Sequence, residues 1–345
     1  MNPRPILAPL SVLYGAVTAL RNWSYDVGLS SVVDVRVPVI SIGNLTAGGS
    51  GKTPVVRETV RTLMKAGLRT AVVSRGYGRE TTGLVVVSDG NNVLVEQRAS
   101  GDEPMMIARS LPDAIVIVDE DRVRGAETAV KNFGAQVIVL DDGFQHRRIH
   151  RMKDIVLMDA GRMPQETMLL PAGYRRESMN GLKRANAVLV TKCRDEEEGK
   201  TILRSDVMEN VPHRFSSSFV PSSVRALFGN VPQSLEIVKG RRVTALCGIA
   251  SPESFRRSLT EAGAVVADVI SVPDHRQFTS EIVRQAVDSM HRTSSDFLVT
   301  TEKDAVRLQQ YKELLTWVPV MVLLMEVRFH QPEAWKGFLL EGVVG

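Results

Sequence analysis

The chain has 345 residues, 43% hydrophobic and 24% charged, a balance that builds packed cores in one large or two smaller domains and excludes wholesale disorder. A formal net charge of +4 is too small for a dedicated nucleic-acid binder, so no nucleic-acid partner is expected; the uneven basic residues suit an anionic substrate or a membrane face. The two cysteines, Cys193 and Cys247, form no CxxC or metal pattern, which excludes a disulfide framework and points to a reducing compartment.

In chain order, the first feature is an uncharged run over residues 5–20, flanked by Arg4 and Arg21. It is shorter than the roughly 20 apolar residues of a spanning helix, and it contains Pro9 and Gly15. No A-x-A cleavage site follows, which argues against an export signal. Ser11, Gly15, Thr18 and Asn22 recur at helical spacing along one side, while Ile6, Leu7, Leu10, Leu13, Tyr14, Val17 and Leu20 cover much of the rest. Residues 1–30 therefore read as an amphipathic helix on a membrane surface, with a helix packed on the protein's own core as the alternative.

Short β-branched runs follow at residues 37–42, 70–74, 114–118, 137–140, 155–159 and 187–191, interleaved with helical patterns such as 54–66 and 103–110. The alternation predicts a mostly parallel sheet with helices on both faces over residues 31–215. Residues 84–87 and 93–96, on either side of "SDGNN", are expected to form a hairpin. "RDEEEGK" is a solvated charge run, and residues 216–241, rich in Ser, Pro and Gly, read as a β-ribbon linker. A smaller α/β domain is expected over 242–345, where "VTALCGIA", "SPESFRRSLTEAG" and "VVADVISV" read as strand, capped helix and strand.

The loop "GNLTAGGSGKTP" after the first strand carries the chemistry. A phosphate loop is ordinarily G-x-x-x-x-G-K-[ST], and Thr46 holds the place of its first glycine. Strand, glycine-rich turn and helix are nonetheless all present. The backbone of Thr46, Ala47, Gly48, Gly49, Ser50 and Gly51 is expected to cradle phosphates, with Lys52 reaching the β- and γ-phosphates and Thr53 binding Mg²⁺. In "QVIVLDDGFQHRR", Asp141 and Asp142 end an apolar strand, where one of them is expected to hold the magnesium. Mg-ATP or Mg-GTP binding follows. The expected fold class is α/β of the P-loop NTPase type, with a smaller C-terminal α/β domain. Thr191, Lys192 and Asp195 in "VLVTKCRD" loosely echo a guanine-reading segment, so a GTPase is the alternative to a small-molecule kinase.

A kinase must also orient or deprotonate its acceptor hydroxyl. "SRGYGR" places Arg75 and Tyr77 after the second strand, where an aromatic tip suits stacking on a sugar. "SGDEPMMIARS" puts Asp102 and Glu103 at a helix start, where the dipole favours carboxylates. "VPDHRQF" sets His275 in a polar loop, and Arg122 with "HRRIHRMK" and "PAGYRRE" supplies a dense basic group.

Together "SIGNLTAGGSGKTP", "SRGYG", "GDEP", "VDEDR", "LDDGFQHR", "LPAGYRRE", "DH" and "TTEKDAVRL" closely resemble the tetraacyldisaccharide 4'-kinase family, the lipid A 4'-kinases of Gram-negative bacteria. The family's phosphate loop also lacks the first glycine. The resemblance implies transfer of the ATP γ-phosphate to the 4'-hydroxyl of the tetraacyldisaccharide 1-phosphate precursor, forming lipid IVA. It implies Asp102 as the base facing that hydroxyl, His275 as its partner from the second domain, and Asp141 and Asp142 as the acidic pair near magnesium. Glu103, Gln145 and His146 match nearby polar positions, and Arg75, Tyr77, Arg122 and Arg175 match candidates for substrate contact. It also implies a peripheral, monotopic association of the N-terminal helix with the cytoplasmic face of the inner membrane.

Overall fold

The computed structural model describes residues 5–49, 51–229, 231–249, 251–273 and 276–344. The elements begin with helix α1 (Ala8–Asp26), strand β1 (Val39–Asn44), α2 (Lys52–Lys65), β2 (Thr70–Ser74), β3 (Val85–Asp89), α3 (Gln97–Ser100), α4 (Asp102–Ser110) and β4 (Ile115–Val118). Next come α5 (Arg122–Phe133), β5 (Val137–Asp141), β6 (Lys153–Asp159), β7 (Ala187–Thr191), α6 (Glu196–Leu203) and β8 (His213–Ala226). The chain continues through β9 (Arg242–Cys247), α7 (Pro252–Glu261), β10 (Val265–Ser271) and α8 (Ser280–Arg292). It ends with β11 (Phe297–Thr301), α9 (Glu302–Leu308), α10 (Lys312–Leu315), β12 (Val320–Phe329) and α11 (Pro332–Leu340).

Two compact units result, Met1–Ser218 with Val327–Gly345, and Phe219–Glu326. The chain crosses between them inside β8 and returns inside β12. In the first unit the strands run β8-β7-β6-β1-β5-β2-β4-β3. Every neighbouring pair is parallel except β3 with β4. The Val/Ile/Leu runs of β1, β2, β4, β5 and β7 are buried along their whole length, as strands covered on both faces must be. One face packs Val55, Val60 and Leu63 of α2, Met105 and Ile107 of α4, and Trp335, Phe338 and Leu339 of α11. The other packs Val123, Ala126 and Ala129 of α5.

The second unit has parallel strands in the order β10-β9-β11-β12, with α8 and α9 supplying Val283, Ala286, Ala305 and Leu308 to one core and α7 supplying Phe255 and Leu259 to another. Residues 327–345, expected in this smaller domain, fold with the first unit because the apolar face of α11 completes the core beneath α2. Of the expected hairpin, only β3 forms a strand. It reaches Val93 through a single bridge at Ser88 and pairs instead with β4.

Candidate active site

The C-terminal ends of the parallel strands β1, β2, β5, β6 and β7 form one crest of the first unit, and the segments holding Lys52, Tyr77, Asp142, Arg176 and Lys192 leave from it. β1 feeds the loop that ends at Gly51, whose φ of 76° is left-handed, and Gly48 has φ 118°. Both are conformations in which a side chain is strained. Thr46 needs no such freedom. It is buried and makes an antiparallel bridge to Arg175, flanked by Ala47 N–H to the Tyr174 carbonyl and Arg176 N–H to the Leu45 carbonyl, each 2.7 Å. The residue in place of the first glycine therefore sits in extended backbone, where a β-branched side chain is favoured.

Lys52 opens α2, its side chain 12% exposed, with Nζ 3.6 Å from Asp142 Oδ1. Asp142 follows β5 in the left-handed region, φ 54°. Its two oxygens each accept from Arg176 Nη1 at 2.8 Å. Asp141, the last residue of β5, is buried, and its Oδ1 has no hydrogen-bond partner among the described residues. Its environment separates it from its neighbour in charge. Burial, assisted by Glu103 and Asp142, raises the Asp141 carboxyl to about 7 against the pull of Lys52 and Arg122. Burial also pushes Asp142 upward, but Lys52, Arg176 and Arg122 together outweigh it and hold that carboxyl below the usual range. The two adjacent aspartates thus differ in surroundings: Arg176 and Lys52 stand at Asp142, while Asp141 Oδ1 is buried without a hydrogen-bond partner among the described residues.

Arg122 is buried at the start of α5, donating to the Asp119 carbonyl at 2.9 Å; burial lowers its pKa while Asp141 and Asp142 oppose the shift. His146 is pushed down to about 4 by burial and then by Arg122, so its ring is neutral at neutral pH. Its Nε2 is buried without a partner among the described residues. Asp102 and Glu103 form the first turn of α4, and Gln97 Nε2 donates to Asp102 Oδ1 at 2.7 Å. Two left-handed glycines bring the "SRGYG" loop against this turn. A Cβ on Gly76 would lie 2.8 Å from the Ser100 carbonyl oxygen, and one on Gly101 would lie 2.9 Å from that of Tyr77. Arg75 is exposed and Tyr77 is 78% exposed.

Some residues do other work than the sequence suggested. The Gln145 amide donates to the Asn44 carbonyl at 2.9 Å and to buried Glu177 at 2.7 Å, so it braces the strand end. Arg175 bridges Thr46 through its backbone, and it is Arg176, not singled out from "PAGYRRE", that grips Asp142. Adjacent residues of an extended segment face opposite ways, so only the register could tell the two arginines apart. Asp195 accepts from Glu198 N–H at 2.8 Å as the cap of α6, which removes it from reading a guanine. Lys192 bonds the Gly49 carbonyl and pairs with Asp159. Ser50 and His275 lie outside the described residues.

Helix α1 is docked by its polar stripe. Ser11 Oγ donates to the Leu169 carbonyl at 2.9 Å and accepts from Ala172 N–H at 3.0 Å. Tyr14 donates to the Arg176 carbonyl and Asn22 to Glu177. A Cβ added at Gly15 would stand 2.8 Å from Leu169 Cδ1, closer than side-chain atoms pack, so a glycine fits this seat. The apolar residues face away: Ile6, Leu10, Val12, Leu13, Val17, Leu20 and Trp23 are each at least 53% exposed. Among the described residues no helix is long and apolar enough to cross a membrane.

Comparison with known proteins bears on this crest. The family model for tetraacyldisaccharide-1-P 4'-kinase matches residues 3–343. A tetraacyldisaccharide 4'-kinase of Chlorobaculum tepidum is 39% identical over 90% of this chain and 88% of its own. The same enzyme of Geobacter metallireducens is 38% identical over 95% of each chain, and that of Chlorobium phaeovibrioides 36% identical over the full length of both. A crystal structure of LpxK from Aquifex aeolicus in complex with ATP superposes with a TM-score of 0.80 at 32% identity, covering 99% of both chains.

Proposed function

The chain belongs to the tetraacyldisaccharide-1-P 4'-kinase family and is an ATP-dependent phosphotransferase of lipid A biosynthesis, and from that premise we propose how the residues of its crest divide the reaction. The observation that carries the proposal is that Asp141 and Asp142, adjacent in the chain, differ in their partners. Asp142 is already matched by Lys52 and Arg176, whereas Asp141 presents a buried oxygen with no partner among the described residues.

That orphaned oxygen fits a Mg²⁺ ligand. No group of three or more His, Cys, Asp or Glu side chains is arranged for a metal among the described residues. A nucleotide-bound Mg²⁺, however, needs only one or two protein ligands besides phosphate oxygens. In this reading Asp141 and Thr53 hold the ion, which when bound neutralises charge developing on the transferring phosphates. Asp142 does not ligate. It fixes Lys52 beside the phosphate loop, with Arg176 sharing its charge so that Lys52 is left able to reach the γ-phosphate.

Asp102 takes the proton of the acceptor 4'-hydroxyl as that oxygen bonds to the γ-phosphorus and the bridging bond to ADP breaks. Glu103, Arg122 and the neutral His146 surround the reacting groups. Arg75 and Tyr77, on the exposed loop packed beside Asp102, contact the disaccharide. Gln145 and Arg175 act through the backbone they hold. His275 is proposed as the partner of Asp102 on the strength of its motif. The test is direct: purified protein in detergent with ATP and tetraacyldisaccharide 1-phosphate is expected to form the 4'-phosphorylated product. GTP hydrolysis without that product would sink the reading.

The outward apolar face of α1 supports a peripheral seat on a membrane surface, and the family resemblance favours the cytoplasmic side of the inner membrane for that seat. Because the helix docks through Ser11, Tyr14 and Asn22, its apolar residues can be changed without disturbing that dock. Replacing Leu10, Leu13, Val17 and Leu20 together by serine is expected to weaken binding to anionic vesicles by about 10²–10⁴-fold, since half of the roughly 1.5–3 kcal/mol for full burial, over four side chains part-buried in the interface, is about 3–6 kcal/mol. ATP affinity and melting temperature should hold. Unchanged vesicle co-flotation would show that this face is not the membrane contact.

A further inference from the structure

The division of labour above gives no role to Lys192, a cation beside the phosphate loop. Lys192 follows β7 in the left-handed region, φ 60°, a conformation uncommon for a residue with a side chain. Its ammonium donates to the Gly49 carbonyl and to Asp159 Oδ2, each at 2.5 Å. We propose that Lys192 is a positioning residue for the phosphate loop, holding the Gly49 carbonyl outward with Asp159 as its anchor. The proposal rests on residues 46–53 being the ATP cradle.

The topology places this brace. β6 lies between β1, which feeds the loop, and β7, which feeds Lys192, and Asp159 is level with Thr191 across β6 and β7. Asp159 is itself fixed. Its Oδ1 accepts from Gly161 N–H at 3.0 Å, and its carbonyl accepts from Arg162 N–H at 2.9 Å. Arg162 of the same turn lies close to the loop, since a Cβ added at Gly48 would stand 3.4 Å from its guanidinium.

A phosphate loop works by aiming amide N–H groups at the anion, and its glycines leave the peptide planes free to turn. The C=O and N–H of one trans peptide point in opposite directions. A cation holding the Gly49 carbonyl therefore restrains how that peptide can turn within the loop. An exposed Lys–Asp pair by itself contributes little, and Lys192 is 38% exposed. What sets this one apart is that its third partner is a main-chain oxygen of the loop.

A loop that is competent only part of the time lowers apparent affinity by the competent fraction. Losing the brace should therefore weaken ATP and ADP alike and leave turnover at saturating ATP close to normal. Lys192→Met is expected to raise the Kd of both nucleotides about tenfold, the size of one partly exposed charge-assisted hydrogen bond. The acceptor's KM and the nucleotide-free melting temperature should stay at wild-type values.

Calorimetric titration of the full chain with Mg-ATP and Mg-ADP, alongside steady-state kinetics, reads each quantity. Lys192→Arg, which retains a long cation, is expected to recover most of the affinity. Asp159→Asn should lose two- to three-fold, and the double variant should be no weaker than Lys192→Met, since the two groups act as a unit. Nucleotide affinities of Lys192→Met within twofold of wild type, or a loss confined to kcat, would overturn the proposal; losses that multiply in the double variant would overturn the role of Asp159. If Lys192→Met does not fold, Lys192→Arg and Asp159→Asn carry the same decision. A wild-type chain that binds neither nucleotide would instead strike the reading of the cradle itself.

Discussion

Asp102→Ala is expected to lower kcat for 4'-phosphorylation by about 10²–10⁴-fold, the usual contribution of a positioned proton acceptor, while Mg-ATP still binds with wild-type affinity. The position is built for that role. Gly101, φ 87°, turns the chain so that Asp102 opens α4, and Gln97 holds one carboxylate oxygen at 2.7 Å. Asp102→Asn preserves the shape and can still accept from Gln97, so it should lose as much turnover as the alanine variant while melting at the wild-type temperature. A loss shared by both variants assigns the effect to the missing base. Near-normal turnover in either one removes Asp102 from the chemistry, and a fall in ATP affinity would place it in nucleotide binding instead.

What the amino-acid pattern disclosed, and what it withheld, follows from the range of the interactions involved. The strands of the first unit were legible because a run such as "AVLVT" in β7 is buried on both faces and has no polar face to obscure it. Helix α1 was legible as two opposed stripes, yet which stripe faces the protein was not. An apolar face normally points inward, and here Ser11, Tyr14 and Asn22 make the dock instead. The second unit was expected to run to the C-terminus. The return of α11 to the first depends on Trp335, Phe338 and Leu339 meeting α2, a contact across more than 250 residues of chain.

The site shows the same division. Lys52, Asp141 and Asp142 stood out because their motifs follow strands, and Lys52 does stand 3.6 Å from Asp142. Arg176 was missed because "YRRE" offers two equivalent arginines until Thr46 pairs with the first. Lys192 was noticed only as an incomplete guanine signature. Its real partner, the Gly49 carbonyl, is a main-chain atom that no side-chain pattern encodes.

Lys52→Met is expected to reduce kcat/KM by about 10²–10³-fold, the range seen when one preorganised charge or donor is taken from a transition state. The argument turns on Asp142. With both cations present, its carboxylate is held low by Lys52, Arg176 and Arg122 against burial, and Nζ of Lys52 stands 3.6 Å away rather than in a close pair. Arg176 donates to both oxygens of Asp142, so Lys52 keeps capacity for a phosphate oxygen. Removing Lys52 leaves Asp142 paired with Arg176 but takes from the loop the positive charge that would meet the incoming phosphates. Arginine at position 52 should not restore the rate, because its rigid fork cannot reproduce a point charge in a side chain only 12% exposed. Single-turnover kinetics separate the possibilities. A slowed chemical step at saturating ATP is the expected result. A higher KM for ATP with kcat unchanged would mean that Lys52 binds ground and transition states equally, and that the charge needed at the γ-phosphate comes from Arg122 or Arg176 instead.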